Sequence, residues 1–136
     1  MTIEPGARIP PFVMDDITMD RIHTIMDLMH DTNPVHDDPE LVERRKLRGP
    51  VNQGPANLSY ILNMLQAWAG ADMEVETFEF RFHEIVVPGD TVTASGTVTS
   101  VEDVERGRRV SCDVRLGHAD GSTAVAGKAR ILIPTT

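Results

Sequence analysis

Residues 54–70 read GPANLSYILNMLQAWAG and form the most strongly helical segment of the chain. Gly54-Pro55 suits a helix start, because proline lacks the amide hydrogen that the first turn leaves unused. Gly70 can end the helix. The apolar side chains between them fall on one wide stripe at helical spacing: Leu58, Ile61, Leu62, Leu65, Trp68 and Ala69. This pattern predicts a deeply buried helix over residues 55–69.

Beyond Gly70 the apolar period changes from about 3.6 to 2, which indicates strands. Alternation runs through residues 78–82, 92–98, 110–116 and 125–133, and turn signals stand at Pro88-Gly89-Asp90 and Asp120-Gly121. Consecutive strands with short turns predict an antiparallel meander. Because its apolar face must be covered, we expect an α+β fold in which a curved sheet wraps around the 55–69 helix.

The first half of the chain is less regular. Residues 1–13 are rich in proline and predict an irregular or edge segment, and apolar spacing predicts a helix over residues 17–30. A structured turn over residues 30–39 and a short helix over 40–46 should follow, ended by Arg48-Gly49-Pro50. A length of 136 residues fits one domain, 1–136.

Composition narrows the function classes. The hydrophobic fraction of 40% and charged fraction of 25% are those of a soluble globular protein. A net charge of −8 argues against nucleic-acid binding, and no apolar run is long enough to span a membrane. The N-terminus lacks the pattern of a signal peptide, and the one cysteine, Cys112, cannot form an internal disulfide. We therefore expect a cytoplasmic protein with Cys112 buried in a strand.

The segment Asp31-Thr32-Asn33-Pro34-Val35-His36 is the densest group of chemically active side chains. A turn built on Asn-Pro can direct a carboxylate and an imidazole into one pocket. A pair that shares a water can move protons both ways, since histidine acts as base and then as acid. The same spacing also fits a turn cap on a solvated surface.

The start of the 55–69 helix is a second candidate. A helix N-terminus carries unpaired N–H groups and positive dipole character, so the Gly54 N–H could bind a developing oxyanion, although a plain helix start is equally consistent. Ser59 could orient a ligand or bond the preceding turn. The basic run Arg44, Arg45, Lys46 and Arg48 is either a solvated helix face or a patch for an anionic ligand. His30 and the nearby carboxylates lack recurring metal-ligand spacing, so no metal is expected.

These segments together resemble the MaoC-like dehydratase family, which includes the R-specific enoyl-CoA hydratases. The residues that carry the resemblance are the D-x4-H segment 31–36, the acidic continuation 37–40, and segments 49–54, 86–92, 120–121 and 127–129. The resemblance implies a hot-dog fold, a homodimer, higher homo-oligomer or other paired arrangement with active sites near the dimer seam, and trans-2-enoyl-CoA or (R)-3-hydroxyacyl-CoA substrates. It implies no metal or redox cofactor, with coenzyme A present only as part of the substrate.

The resemblance also assigns roles. His36 would take a proton from water as the water attacks C3, and Asp31 would help deliver a proton to C2. The Gly54 N–H, beside Gln53, would bind the thioester carbonyl. Asn33 would shape the turn, and Ser59 would line the pocket.

The chain departs from the family pattern beside the proposed oxyanion site. The family often has His-Gly where this chain has Gln53-Gly54, and an apolar residue where it has Pro55. Two alternatives stay open: a weakly active or inactive subunit of a hetero-oligomeric hydratase, and an acyl-CoA thioesterase. A thioesterase would need a carboxylate on the central helix, and the segment 55–71 contains none.

Overall fold

The computed structural model describes residues 2–135. These residues form five strands, three α-helices and one short 3-10 helix at Pro34–His36, which lies between the first and second α-helices. The helices are α1 (Met19–Met29), α2 (Pro39–Arg44) and α3 (Gly54–Ala69), and the strands are β1 (Arg8–Met14), β2 (Glu74–Phe82), β3 (Val92–Val104), β4 (Gly107–His118) and β5 (Thr123–Pro134). All three predicted helices are therefore present, with ends shifted by at most two residues.

The strands form one antiparallel sheet in the order β1-β3-β4-β5-β2. The predicted antiparallel sheet is confirmed, and only β3, β4 and β5 form a meander. Predicting β2 as the neighbour of β3 was wrong, because β2 pairs with β5 at the opposite edge. Alternation identifies a strand but carries no information about its partner, and residues 83–91 are long enough to carry the chain across the sheet.

The other edge is formed by β1, in the proline-rich segment predicted to be irregular or an edge. Its pairing with β3 shifts register between Ile9 and Phe12, where Pro10 and Pro11 stand. Proline cannot donate to the ladder and is tolerated at a sheet edge or a bulge. The proline-rich composition therefore did not predict that this segment forms a strand.

Helix α3 packs against the concave face of the sheet. Its side chains at Ile61 and Leu65 are fully buried, and Leu58, Leu62 and Trp68 of the predicted stripe are half-buried. Ala69 of the stripe is buried too, and the buried face extends through three residues outside the stripe: Ala56, Tyr60 and Met64. Because α3 is apolar on most of its surface, the stripe does not determine which way the helix faces.

Strands β3, β4 and β5 bury one alternating set of side chains against α3, and Cys112 lies in it as predicted. Strand β2 is different: Phe80 and Phe82 are 45% and 49% exposed. The phenylalanine alternation therefore does not mark a core-facing surface of this single chain. Within residues 2–135, no helix combines the length and the apolar character needed to cross a membrane.

Candidate active site

The turn after α1 is held by its own side chains. His30 ends α1 in the left-handed conformation, with φ 51°. The Asp31 Oδ1 atom accepts the Asn33 N–H at 3.0 Å, and Asn33 Oδ1 accepts the Val35 N–H at 3.1 Å, which caps the short 3-10 helix. Asx residues form such turns readily, because a short side chain can replace a backbone acceptor. Asn33 therefore caps this turn.

The turn brings the carboxylate and the imidazole together. His36 Nε2 lies 3.1 Å from Asp31 Oδ2, with 9% of the His36 side chain and 27% of the Asp31 side chain exposed. The other ring nitrogen, Nδ1, lies 2.6 Å from the Val51 carbonyl oxygen. Since a carbonyl can only accept, Nδ1 carries the hydrogen in this arrangement. The Asp31 carboxylate also only accepts, so the direct contact requires a hydrogen on Nε2 as well, and this is the hydrogen that Nε2 can exchange with Asp31 or with a water.

Asp31 also borders a cavity of about 630 Å³. Its wall combines the end of α1 with the turn, and includes Met26, Asp27, His30, Pro34 and Asp37. A larger cavity of about 730 Å³ lies over β1, β3 and β4 and includes neither Asp31 nor His36. The smaller cavity therefore opens on the Asp31 side of the pair, and His36 does not line it. The described part of the chain holds no cluster of three or more side chains arranged as metal ligands.

The segment before α3 connects this pair to the helix start. The Val51 N–H donates to the Val35 carbonyl at 3.0 Å, so Val51 is bonded to the turn of residues 31–36 through both backbone groups. Three residues later, Gly54 is the first residue of α3, and its N–H has no partner inside the helix. A Cβ on Gly54 would lie 2.8 Å from Phe82 Cζ, so the ring of Phe82 lies against this glycine.

The other two candidates near Gly54 are engaged within the protein. Gln53 is fully buried, and its Nε2 donates to the Ile22 carbonyl of α1 at 2.9 Å. Its Oε1 is the one buried side-chain nitrogen or oxygen of residues 2–135 without a hydrogen-bond partner. Ser59 Oγ donates to the Ala56 carbonyl at 2.6 Å, which is the bond to the preceding turn that the sequence left open.

A buried polar network beside these residues was missed by sequence reasoning. Asn52 Nδ2 donates to Asn57 Oδ1 at 2.9 Å and to the Tyr60 hydroxyl at 3.1 Å, and each of the three residues is less than a tenth exposed. Asn57 is a polar residue on a mostly apolar helix. The spacing of Asn52, Asn57 and Tyr60 in the sequence was the signal for this network. It places one amide just before the helix and two polar side chains in the first two turns of the helix.

The basic run divides into two parts. Arg48 forms a bidentate pair with Asp90, with Nη1–Oδ1 and Nη2–Oδ2 distances of 3.1 and 2.9 Å. Burial alone would raise the pKa of Asp90, but hydrogen bonds from Arg48 and the Val87 N–H outweigh it, so this pKa lies below its ordinary value. Arg48 therefore supports the fold, and Arg44, Arg45 and Lys46 remain exposed.

Comparison with known proteins identifies relatives of this arrangement. Residues 10–120 match the family model described as "MaoC like domain". No curated protein shows significant similarity to the chain. The solved structures that resemble it include the (R)-hydratase from A. caviae involved in PHA biosynthesis, at 22% identity, 98% coverage of both chains and a TM-score of 0.86.

Two further similar structures are complexes of two different subunits, both from Mycobacterium tuberculosis. The ChsH1-ChsH2 complex contains a chain 20% identical, with 98% of this chain and 99% of that chain covered and a TM-score of 0.82. The HadBC (3R-hydroxyacyl-ACP dehydratase) complex contains one 14% identical, with 96% and 98% covered and a TM-score of 0.76. At these identities the likeness establishes the hot-dog fold, as the sequence predicted. With the family model matching most of its length, the chain belongs to the MaoC-like domain family.

Proposed function

We propose that the protein is an enoyl-CoA hydratase, which adds water reversibly to a trans-2-enoyl-CoA to give the (R)-3-hydroxyacyl-CoA. The observation that carries the proposal is the His36–Asp31 pair, because its Nδ1 is held by the Val51 carbonyl and its Nε2 faces a carboxylate at 3.1 Å. In this geometry Nε2 would exchange a proton with a water that enters between it and Asp31. Family membership supports the reaction class.

The proposed chemistry is a balanced addition. A water held by Asp31 and His36 bonds through its oxygen to C3, and His36 Nε2 takes one of its hydrogens. The π electrons of the C2–C3 double bond move toward the thioester carbonyl, and C2 then receives the proton that His36 took, passed on through Asp31, so the pair returns to its starting state. The addition involves no net oxidation or reduction and so requires no resident cofactor, and coenzyme A enters as part of the substrate.

The negative charge that develops on the carbonyl oxygen needs a donor. The Gly54 N–H stands at the start of α3, where the helix dipole favours negative charge. A donor placed there stabilises the transition state more than the ground state, and losing one such donor costs about 3–4 kcal/mol of barrier. Gln53 and Ser59 lie nearby, but their internal bonds to Ile22 and Ala56 favour supporting roles in substrate binding.

Hydration of crotonyl-CoA by the purified protein tests the proposal, followed as loss of the enoyl absorbance. The wild-type protein should turn over, and His36→Ala should abolish turnover without loss of the circular dichroism spectrum. His23→Ala is the matched control, because His23 is an exposed histidine on the wall of the same cavity and should be dispensable. Equal rates for wild type and His36→Ala would refute the mechanism. Release of free thiol instead of loss of the double bond would indicate a thioesterase.

We also propose that the active form is a homodimer. Strand β2 forms an edge of the sheet, and its Phe80 and Phe82 side chains are about half exposed, so pairing with a second copy would cover them. Phe82 lies against Gly54, which would place the site near the dimer seam. Light scattering should give twice the chain mass for the wild type and a monomer for Phe80→Ser. The cytoplasmic location stays a prediction.

A second candidate is a weakly active or inactive subunit of a hetero-oligomer. Two structures similar to this chain are complexes of different subunits, and Gln53-Gly54-Pro55 departs from the His-Gly often found in the family. If the purified protein is folded but turns over no enoyl-CoA of any chain length, this reading is favoured over the hydratase.

A further inference from the structure

The peptide group between Val51 and Asn52 is held at both ends. Its carbonyl accepts the hydrogen on His36 Nδ1 at 2.6 Å, and its N–H donates to the Val86 carbonyl at 2.7 Å. The C=O and N–H of a trans peptide are coplanar and point in opposite directions. Any rotation of this peptide plane would therefore weaken the bond to His36.

The side chain of Asn52 provides the third attachment. Its Nδ2 carries two hydrogens, and both are used, one on Asn57 Oδ1 and the other on the Tyr60 hydroxyl. Asn57 lies in the first turn of α3 and Tyr60 in the second. An apolar side chain could fill the same space, but only directional bonds can resist rotation about the backbone next to Val51.

These bonds join the two halves of the proposed reaction site. The carbonyl on one side of Asn52 selects the His36 nitrogen that keeps its hydrogen. The helix that binds its side chain begins with the Gly54 N–H, two residues further along the chain. The network stabilises the fold only while all its bonds are made, because each buried polar group that loses its partner costs about 1–3 kcal/mol of folding free energy.

We propose that Asn52 is a positioning residue: by bonding Asn57 and Tyr60 it holds the Val51 carbonyl on His36 Nδ1 and so keeps Nε2 as the proton acceptor. It touches neither substrate nor water and acts through His36. The effect on catalysis depends on the proposed hydratase function, whereas the effect on the imidazole does not.

The test compares Asn52→Ala, Tyr60→Phe and the control Asn63→Ala, an exposed asparagine on the same helix. Long-range ¹H–¹⁵N spectra of ¹⁵N-histidine protein, recorded where the imidazole is neutral, report the tautomer of His36. Its signals are assigned by their absence in His36→Ala. The wild type and Asn63→Ala should show the hydrogen on Nδ1. Asn52→Ala should show a mixture of tautomers, and Tyr60→Phe a smaller shift in the same direction.

The kinetic readout is a drop in kcat of up to about 100-fold for Asn52→Ala with little change in KM, as expected when a reacting group is slightly misplaced. An unchanged tautomer in Asn52→Ala would overturn the proposal, as would an equal shift in Asn63→Ala. If Asn52→Ala fails to fold, Tyr60→Phe decides, since it removes only one hydroxyl. If the wild type turns over no enoyl-CoA, the hydratase proposal fails and the tautomer comparison still decides the role of Asn52.

Discussion

Replacing Asp31 with asparagine separates the two jobs of this side chain. Oδ1 accepts the Asn33 N–H and holds the turn, whereas Oδ2 faces His36 Nε2 at 3.1 Å. In Asp31→Asn the amide oxygen can keep the bond to Asn33. Its NH2 group then faces the unprotonated Nε2 and donates to it. The base is blocked by a hydrogen bond, and the turn is preserved.

The magnitudes follow from these two contacts. Loss of proton transfer by a positioned side chain lowers kcat by roughly 100- to 10,000-fold, equivalent to about 3–5 kcal/mol of activation free energy. The free energy of unfolding should change by less than about 1 kcal/mol in Asp31→Asn, because both hydrogen-bonding positions keep a partner. Asp31→Ala also loses the bond to Asn33 and should be less stable than Asp31→Asn by about 1 kcal/mol.

The assay is steady-state hydration of crotonyl-CoA, with urea unfolding of the same preparations. Asp37→Asn is the matched control, since Asp37 is a carboxylate on the wall of the same cavity and should leave kcat near the wild-type value. A wild-type kcat in Asp31→Asn would refute the assignment of Asp31. So would an equal loss in Asp37→Asn, because the effect would then be one of net charge.

Three further predictions concern stability and reactivity. Hydrogen bonds from Arg48 hold the pKa of Asp90 below its ordinary value, and His118 Nδ1 lies 3.7 Å from the Asp90 carboxylate. The stability that this lowered pKa contributes is present above about pH 4, where the carboxyl of the unfolded chain is ionised, and is lost as the pH falls through the pKa of the folded state. Arg48→Ala should therefore flatten the dependence of Tm on pH in this acidic range, and an unchanged slope would count against the pair. Burial raises the pKa of the Cys112 thiol to about 11, so a thiol reagent at pH 8 should label it only in denaturant. Leu65→Ala leaves a cavity at a fully buried position and should cost about 2–5 kcal/mol in chemical denaturation.

Local features of the site were accessible to sequence reasoning. The Asx bonds of Asp31 and Asn33 reach acceptors and donors only two residues away, so the segment itself contains what is needed to form the turn. The helix at Gly54–Ala69 likewise follows from its own apolar spacing and its Gly-Pro start. The contact between Asp31 and His36 belongs to the same class, because both ends lie in one turn.

Long-range partners were not accessible in this way. Arg48 meets Asp90 across 42 residues and Gln53 meets Ile22 across 31, and neither sequence segment specifies the other. The network around Asn52 joins residues only five and eight positions apart, but its burial depends on the packing of α3 against the sheet. The exposure of Phe82 similarly depends on the pairing of β2 with β5.

Periodicity and turn chemistry by themselves determined the helices, strands β2 to β5, the antiparallel sheet and the Asp31–His36 turn, because these depend on hydrogen bonds and apolar spacing within a few residues. Tertiary structure alone decided strand order, which nitrogen of His36 keeps its hydrogen, and which polar groups are buried. Those properties depend on groups that are distant in the chain and meet only when the core packs, and a close-packed interior has few alternative arrangements once they have met.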